Sequence, residues 1–134
     1  MHCEINTPDH YRLHLPTVGA DSPTQVRRIV RAHLRFWGLA ELADAAGLCV
    51  TELLSNVIRH VDDRRCTLEL WRRGDDGVRV EVHDSEPELP LIRVTGDVLS
   101  ESGRGLVLLA AIAHAWDAER TGGGKVVWFE LKQS

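Results

Sequence analysis

At 134 residues the chain has material for one ordinary hydrophobic core, so a single domain spanning 1–134 is expected. A hydrophobic share of 43% and a charged share of 27% exclude a disordered chain. The formal net charge of −4 gives a field that does not attract polyanions, which counts against direct nucleic-acid binding.

In chain order, Tyr11 to Leu15 alternates enough for a short strand, closed by Pro16. Asp21-Ser22-Pro23 offers a capping side chain and then proline in the first turn, a helix start. Val26, Ile29, Val30, His33, Leu34 and Trp37 recur at helical spacing up to Gly38. A second helix is expected to begin near residues 39–41 and run to about Val61. Gly47 is a weak point in its middle, costing about 1 kcal/mol against alanine.

The period then changes from helical to two. Cys66, Leu68 and Leu70 alternate with polar neighbours, residues 74–77 supply turn chemistry, and Val78, Val80 and Val82 alternate again. That pattern predicts a hairpin. From Asp84 to Ser102 the chain carries Pro87, Pro90, Gly96 and scattered apolar residues, and reads as a loop. A connection of that length in so small a domain is uncommon and ordinarily functional, so a lid is expected at about 85–102. Gly105 to Ala115, apolar nearly all round, predicts a buried helix. Two last strands, about Ala115 to Arg120 and Lys125 to Leu131, flank a run of three glycines. Helices in one block and hairpin-linked strands in another predict an α+β two-layer sandwich.

Three places carry chemistry. On the second helix Val50, Leu53, Leu54, Val57 and Val61 form the buried stripe, while Glu52, Asn56 and Arg59 share another side. An amide oxygen such as that of Asn56 suits a hard cation, and the Glu52 carboxylate can take a proton from an attacking hydroxyl. A solvated helix face accounts for the same residues. Asp84 continues the parity of Val78, Val80 and Val82, so it points inward and needs a donor. The donor is either a backbone amide of the following turn or a ligand amine such as that of adenine. Arg79, Glu81 and His83 take the wet side, and His83 is read as neither ligand nor base.

Gly103-Arg104-Gly105 reads as a turn just before the apolar helix. There the backbone can approach a ligand closely, and free amides with the helix dipole favour phosphate. Arg104 would add a charged clamp, although glycines also serve simply to turn a chain. Residues 122–125 are no P-loop, because Val126 stands where Ser or Thr is required. Cys49 and Cys66 fall on apolar faces as buried thiols, and no Cys-x-x-Cys pair supports a zinc site or disulfide framework. No apolar run approaches the ~20 residues of a membrane span, so the expected location is cytoplasmic.

The order of these features resembles the GHKL (histidine kinase-like) ATPase superfamily. Within it, the chain is most similar to the bacterial anti-sigma-factor serine/threonine kinases and their actinobacterial relatives. Residues 52–60 resemble the asparagine box, residues 82–85 the first glycine box, residues 103–106 the second, and residues 124–129 the closing strand. The resemblance implies a Bergerat-type sandwich, with a mixed, mostly antiparallel sheet covered on one face by helices, and ATP with Mg²⁺ as ligands. It implies that Asn56 holds the metal, Glu52 is the general base, Asp84 meets the adenine amine, and Gly103, Arg104 and Gly105 lie against the phosphates, with Arg59 of the asparagine box a further cofactor-binding candidate. Three positions depart from the pattern. Glu86 replaces a glycine, Glu101 replaces a basic residue, and Val126 replaces a threonine of the closing strand.

The function implied is a Mg-ATP-dependent regulatory kinase that binds a sigma factor or an anti-anti-sigma-type protein and phosphorylates an antagonist. A homodimer built on the first helix and Trp37 is a further expectation, with core packing as the other use of Trp37. No dimerisation helix with a phosphoacceptor histidine precedes the domain, so a complete histidine kinase is not expected. The rival class is a binding switch that sequesters a partner with nucleotide or without it. A third, nucleic-acid binding through Arg27, Arg28, Arg31 and Arg35, is disfavoured by the acidic charge.

Overall fold

Alternation with a period of two decides which face of each strand is covered. Strand β1 is His2–Thr7 and β2 is His10–Leu15. Strand β3 is Cys66–Arg73, β4 Gly77–Asp84, β5 Ala115–Thr121 and β6 Gly124–Lys132. On one sheet face lie Tyr11, Leu13 and Leu15, then Cys66, Leu68 and Leu70, then Val78, Val80 and Val82, then Val127, Phe129 and Leu131, all buried. The helices α1 (Ser22–Phe36), α2 (Ala43–His60) and α3 (Glu101–Ile112) supply the second layer, through Val26, Val30, Leu34, Val50, Leu54, Val57, Leu106 and Leu109. The computed structural model describes the backbone of residues 2–89 and 101–134, with side chains from residue 7 in the first segment and from residue 106 in the second.

This is the expected α+β two-layer sandwich. The sheet has six strands in the order β1-β2-β3-β4-β6-β5, and every described pairing is antiparallel, with no parallel pair to make it mixed. Strand β1 was not foreseen, because its sequence is largely polar and an edge strand needs little apolar alternation. The signal that could have found it is the Pro8-Asp9 turn, across which Thr7 Oγ1 donates to the His10 carbonyl at 3.2 Å.

Helix α1 stops at Gly38, whose φ of 76° is the left-handed conformation a helix end favours. The Gly38 and Leu39 amides close the end onto the carbonyls of Arg35 and Leu34 at 3.1 and 2.7 Å. Trp37 is buried, with its ring edge-on to His33, so the core claims it. The exposed aromatic is its neighbour Phe36, 85% accessible.

A single 3₁₀ turn, Ala40–Leu42, absorbs the start expected for the second helix, and α2 begins at Ala43. Gly47 turns out to have a positive use. A Cβ there would lie 2.8 Å from Arg27 Cγ and 3.3 Å from Arg31 Cγ, so its absence lets α1 lie close on α2. Arg31 then reaches across to Asp44 at 2.9 Å. Two of the four arginines of the supposed basic face therefore belong to a helix contact.

Helix α3 corrects the sequence reading twice. It begins at Glu101, ahead of Gly105, and it ends at Ile112. It also buries one side only, with Leu106 and Leu109 inaccessible while Val107, Ala110 and Ala111 are exposed. A helix laid on a sheet has one covered face whatever its composition. Among the described residues, no helix is long and apolar enough to cross a membrane.

Candidate functional site

Helix α2 turns its apolar stripe, Val50, Leu53, Leu54 and Val57, into the core and leaves a polar side half-covered. Most polar atoms on it are satisfied locally. The Thr51 hydroxyl donates to the Gly47 carbonyl at 2.8 Å, and the Ser55 hydroxyl to the Thr51 carbonyl at 2.9 Å. Asn56 differs. Its Oδ1 is buried and accepts no hydrogen bond from any described residue. Such an orphaned acceptor costs roughly 1–3 kcal/mol unless something binds it. A hard cation fits it, since amide oxygen is a normal magnesium ligand when phosphates and water complete the shell. Glu52 lies one turn before it and is half-buried, while Arg59 is exposed. Burial first, and then the charge of Glu52, push the nearby Cys49 thiol up to about 11.

The second part of the site sits at the end of β4. Parity placed Asp84 on the inner face, and its side chain is 4% exposed. Of the two donors anticipated for it, the protein one is present. The Glu86 amide donates to Asp84 Oδ1 at 2.9 Å. A donor not anticipated joins it, Lys125 Nζ, at 3.0 Å from the same oxygen. Both bonds fall on Oδ1, which leaves Oδ2 as an acceptor. Burial raises the Asp84 carboxyl above the usual aspartate range, while Lys125 and the Glu86 amide pull it the other way. The same carboxylate helps hold Cys66, its cross-strand neighbour, at about 12, after burial as the larger cause.

Sheet register explains why Lys125 reaches this place. β6 pairs with β4 so that Lys125 stands opposite Asp84 and Val126 opposite His83. Lys125 therefore shares the inner face, whereas Val126 faces the other side of the sheet. The closing-strand departure assigned to Val126 accordingly does not fall beside Asp84; the residue there is Lys125. Its signal was legible, since Lys125 has the parity of Val127, Phe129 and Leu131. Gly124 lets the strands close up, because a Cβ on it would overlap the Asp84 carbonyl oxygen and lie 2.7 Å from Ser85 Cα.

Two further contacts tie this end together. Ser85 Oγ donates to Asp63 at 2.9 Å, drawing the end of β4 toward the segment that follows α2. The amide of Arg65 and then the Ser85 hydroxyl hold the exposed Asp63 carboxyl below its ordinary value. Arg120 Nε donates to the Pro87 carbonyl at 3.2 Å. Helix α2 also packs against β4 and α3, so Asn56 and Asp84 belong to neighbouring elements. Glu86, the other departure that is described, turns its carboxylate to the Glu88 amide at 3.1 Å.

The Gly103-Arg104-Gly105 expectation needs correction in its geometry. These residues lie within the first turns of α3 instead of in a turn before it. Polar residues Glu101 and Ser102 start the helix, as first turns commonly do, and the apolar run marks only its middle. The amides of that first turn remain the ones without intrahelical partners. Most of the expected lid, residues 90–100, lies outside the described residues.

On the uncovered face of the sheet, Arg79, Glu81 and His83 are paired with one another and with Glu69 and Glu130 instead of standing free in solvent. His83 Nε2 is 2.9 Å from Glu81 Oε1 and 3.5 Å from Glu69 Oε2, and Arg79 Nε donates to Glu81 at 2.7 Å. Arg79 also lies 4.0 Å over the Trp128 ring. This network is on the opposite side of the sheet from Asp84.

The family model described as the histidine kinase-like ATPase domain matches residues 19–131. An uncharacterized protein of Streptomyces coelicolor is 38% identical over 80 residues, covering 58% of this chain and 76% of that protein.

Proposed function

The chain belongs to the histidine kinase-like ATPase family, and on that premise we propose that it binds Mg-ATP between α2, the end of β4 and the start of α3. The observation that carries the reading is the buried Oδ1 of Asn56, without a hydrogen-bond partner among the described residues, on the same helix side as Glu52. Asp84 Oδ2 accepts the adenine amine. Asn56 holds Mg²⁺, which when bound neutralises charge on the phosphates. The first-turn amides of α3, that of Gly103 among them, serve the phosphates, and Arg104 and Arg59 add positive charge there.

The proposed activity is that of an anti-sigma-factor-like serine/threonine kinase acting in the cytoplasm. Glu52 takes the proton of the acceptor hydroxyl as its oxygen bonds to the γ-phosphorus of ATP and ADP departs. The partners are a sigma factor or an anti-anti-sigma-type protein, with a second copy of the chain as a further partner at the end of α1, where Phe36 is exposed. The rival, a switch that binds without transferring phosphate, draws on Glu86, whose charge stands beside Asp84.

Nucleotide affinity measured with and without Mg²⁺ tests the site. Asn56→Ala is expected to abolish the magnesium-dependent part and Asp84→Asn the binding as a whole; unchanged affinity in both variants would remove the site. Phosphate transfer from labelled ATP to a candidate antagonist tests the activity. Labelling lost in Glu52→Gln with partner binding intact supports the kinase. Partner binding with no labelling by the native protein leaves the switch.

A further inference from the structure

Lys125 is a buried charged residue, at 7% accessibility. A buried ammonium costs several kcal/mol unless it is paired and hydrogen-bonded, so its partners identify what it is there to do. Its Nζ donates to Asp84 Oδ1 at 3.0 Å and to the Glu86 carbonyl at 3.3 Å. The Glu86 amide donates to that same Oδ1. Asp84, Glu86 and Lys125 thus close a ring in which one carboxylate oxygen, Oδ1, takes both bonds.

We infer that Lys125 is a positioning residue for nucleotide-base selection, holding Asp84 ionised and oriented so that Oδ2 accepts an exocyclic amine. The inference rests on the proposed nucleotide site and adds to it the source of its base preference. An ionised acceptor rewards a purine bearing a 6-amino group and rejects one with a carbonyl there, because two acceptors would then face each other. Burial works against an ionised Asp84 and keeps its carboxyl above the usual aspartate range, and the ammonium opposite it offsets part of that cost. Lys125 also fixes the backbone at Glu86, where a glycine would leave it free to turn. Gly124 permits the close approach of the two strands that the ring needs.

The experiment compares ATP with inosine 5′-triphosphate, which carries a carbonyl in place of the amine. For the native chain, ATP is expected to bind about tenfold or more tightly, the scale of one hydrogen bond to a charged group. In Lys125→Met, ATP affinity is expected to fall by about that factor while inosine triphosphate affinity stays within about twofold, so the ratio collapses toward one. A purely structural role for Lys125 weakens both nucleotides alike and leaves the ratio unchanged, which overturns the inference while the nucleotide site stands. A native chain that binds both nucleotides equally also overturns it. A native chain that binds neither removes the site and the inference together. Should Lys125→Met not fold, the ammonium resonance of Lys125 in the native chain decides: a shift on saturation with ATP and none with inosine triphosphate supports the role, and no shift with ATP refutes it.

Discussion

Asn56 and Asp84 are both polar side chains placed where water is largely absent, and they meet that condition in opposite ways. Asn56 Oδ1 has no described donor, whereas Asp84 Oδ1 has two. The first atom is left in need of a ligand, and the second anchors its residue so that the remaining oxygen is held in place. Gly124 is the residue on which this placement turns. Gly124→Ala puts a methyl group into the Asp84 carbonyl and Ser85 Cα, and backbone cannot swing aside as a side-chain tip does. The expected cost is about 1–3 kcal/mol in urea unfolding, typical of overpacking, together with weaker nucleotide binding. A variant as stable as the native chain would show that β4 and β6 are less tightly apposed than the structure has them.

At the scale of elements, the uncovered face of β3, β4 and β6 behaves as an acid-sensitive seam. Glu69 and Glu81 stand directly opposite each other, an arrangement that repels unless cations are interleaved. Arg79 supplies one, and the His83 ring stands within reach of both carboxylates. Burial pushes the Glu81 carboxyl up, and the hydrogen bonds from Arg79 and His83 outweigh it, so Glu81 titrates below its ordinary value of 4.5. A lowered folded value means that the pairing stabilises the fold above the unfolded carboxyl's range. That stability is lost as pH falls below about 4.5 toward the folded value. Melting temperatures recorded from pH 6 down to 3 are expected to drop less steeply in Glu81→Gln than in the native chain. Identical acid limbs would mean that Glu81 contributes nothing to that slope.

For the whole molecule, the proposed site, drawn from α2, β4 and α3, would tie ligand binding to the folded state. A ligand that binds only the folded chain stabilises it by about 2.7 kcal/mol at a hundredfold excess over Kd. Mg-ATP is therefore expected to raise Tm by several degrees, ATP with a chelator by less, and Asn56→Ala to make the two conditions equal. No change in Tm at saturating nucleotide would contradict a site that spans these elements.

Much of this was legible in residues alone because it depends on local periodicity. Alternation placed Asp84 on the inner face, helical spacing grouped Glu52 with Asn56, and the glycine at 38 marked the end of α1. Strand β1 escaped because an edge strand can be polar, and the start of α3 escaped because a first helical turn carries no apolar signal. What only the tertiary structure decided is pairing across the sheet and between helices. Register sets Lys125 opposite Asp84, and helix contact gives Gly47 its reason. Both depend on which chain segments meet in space, and a one-dimensional pattern records the face a residue takes but never the neighbour it finds there.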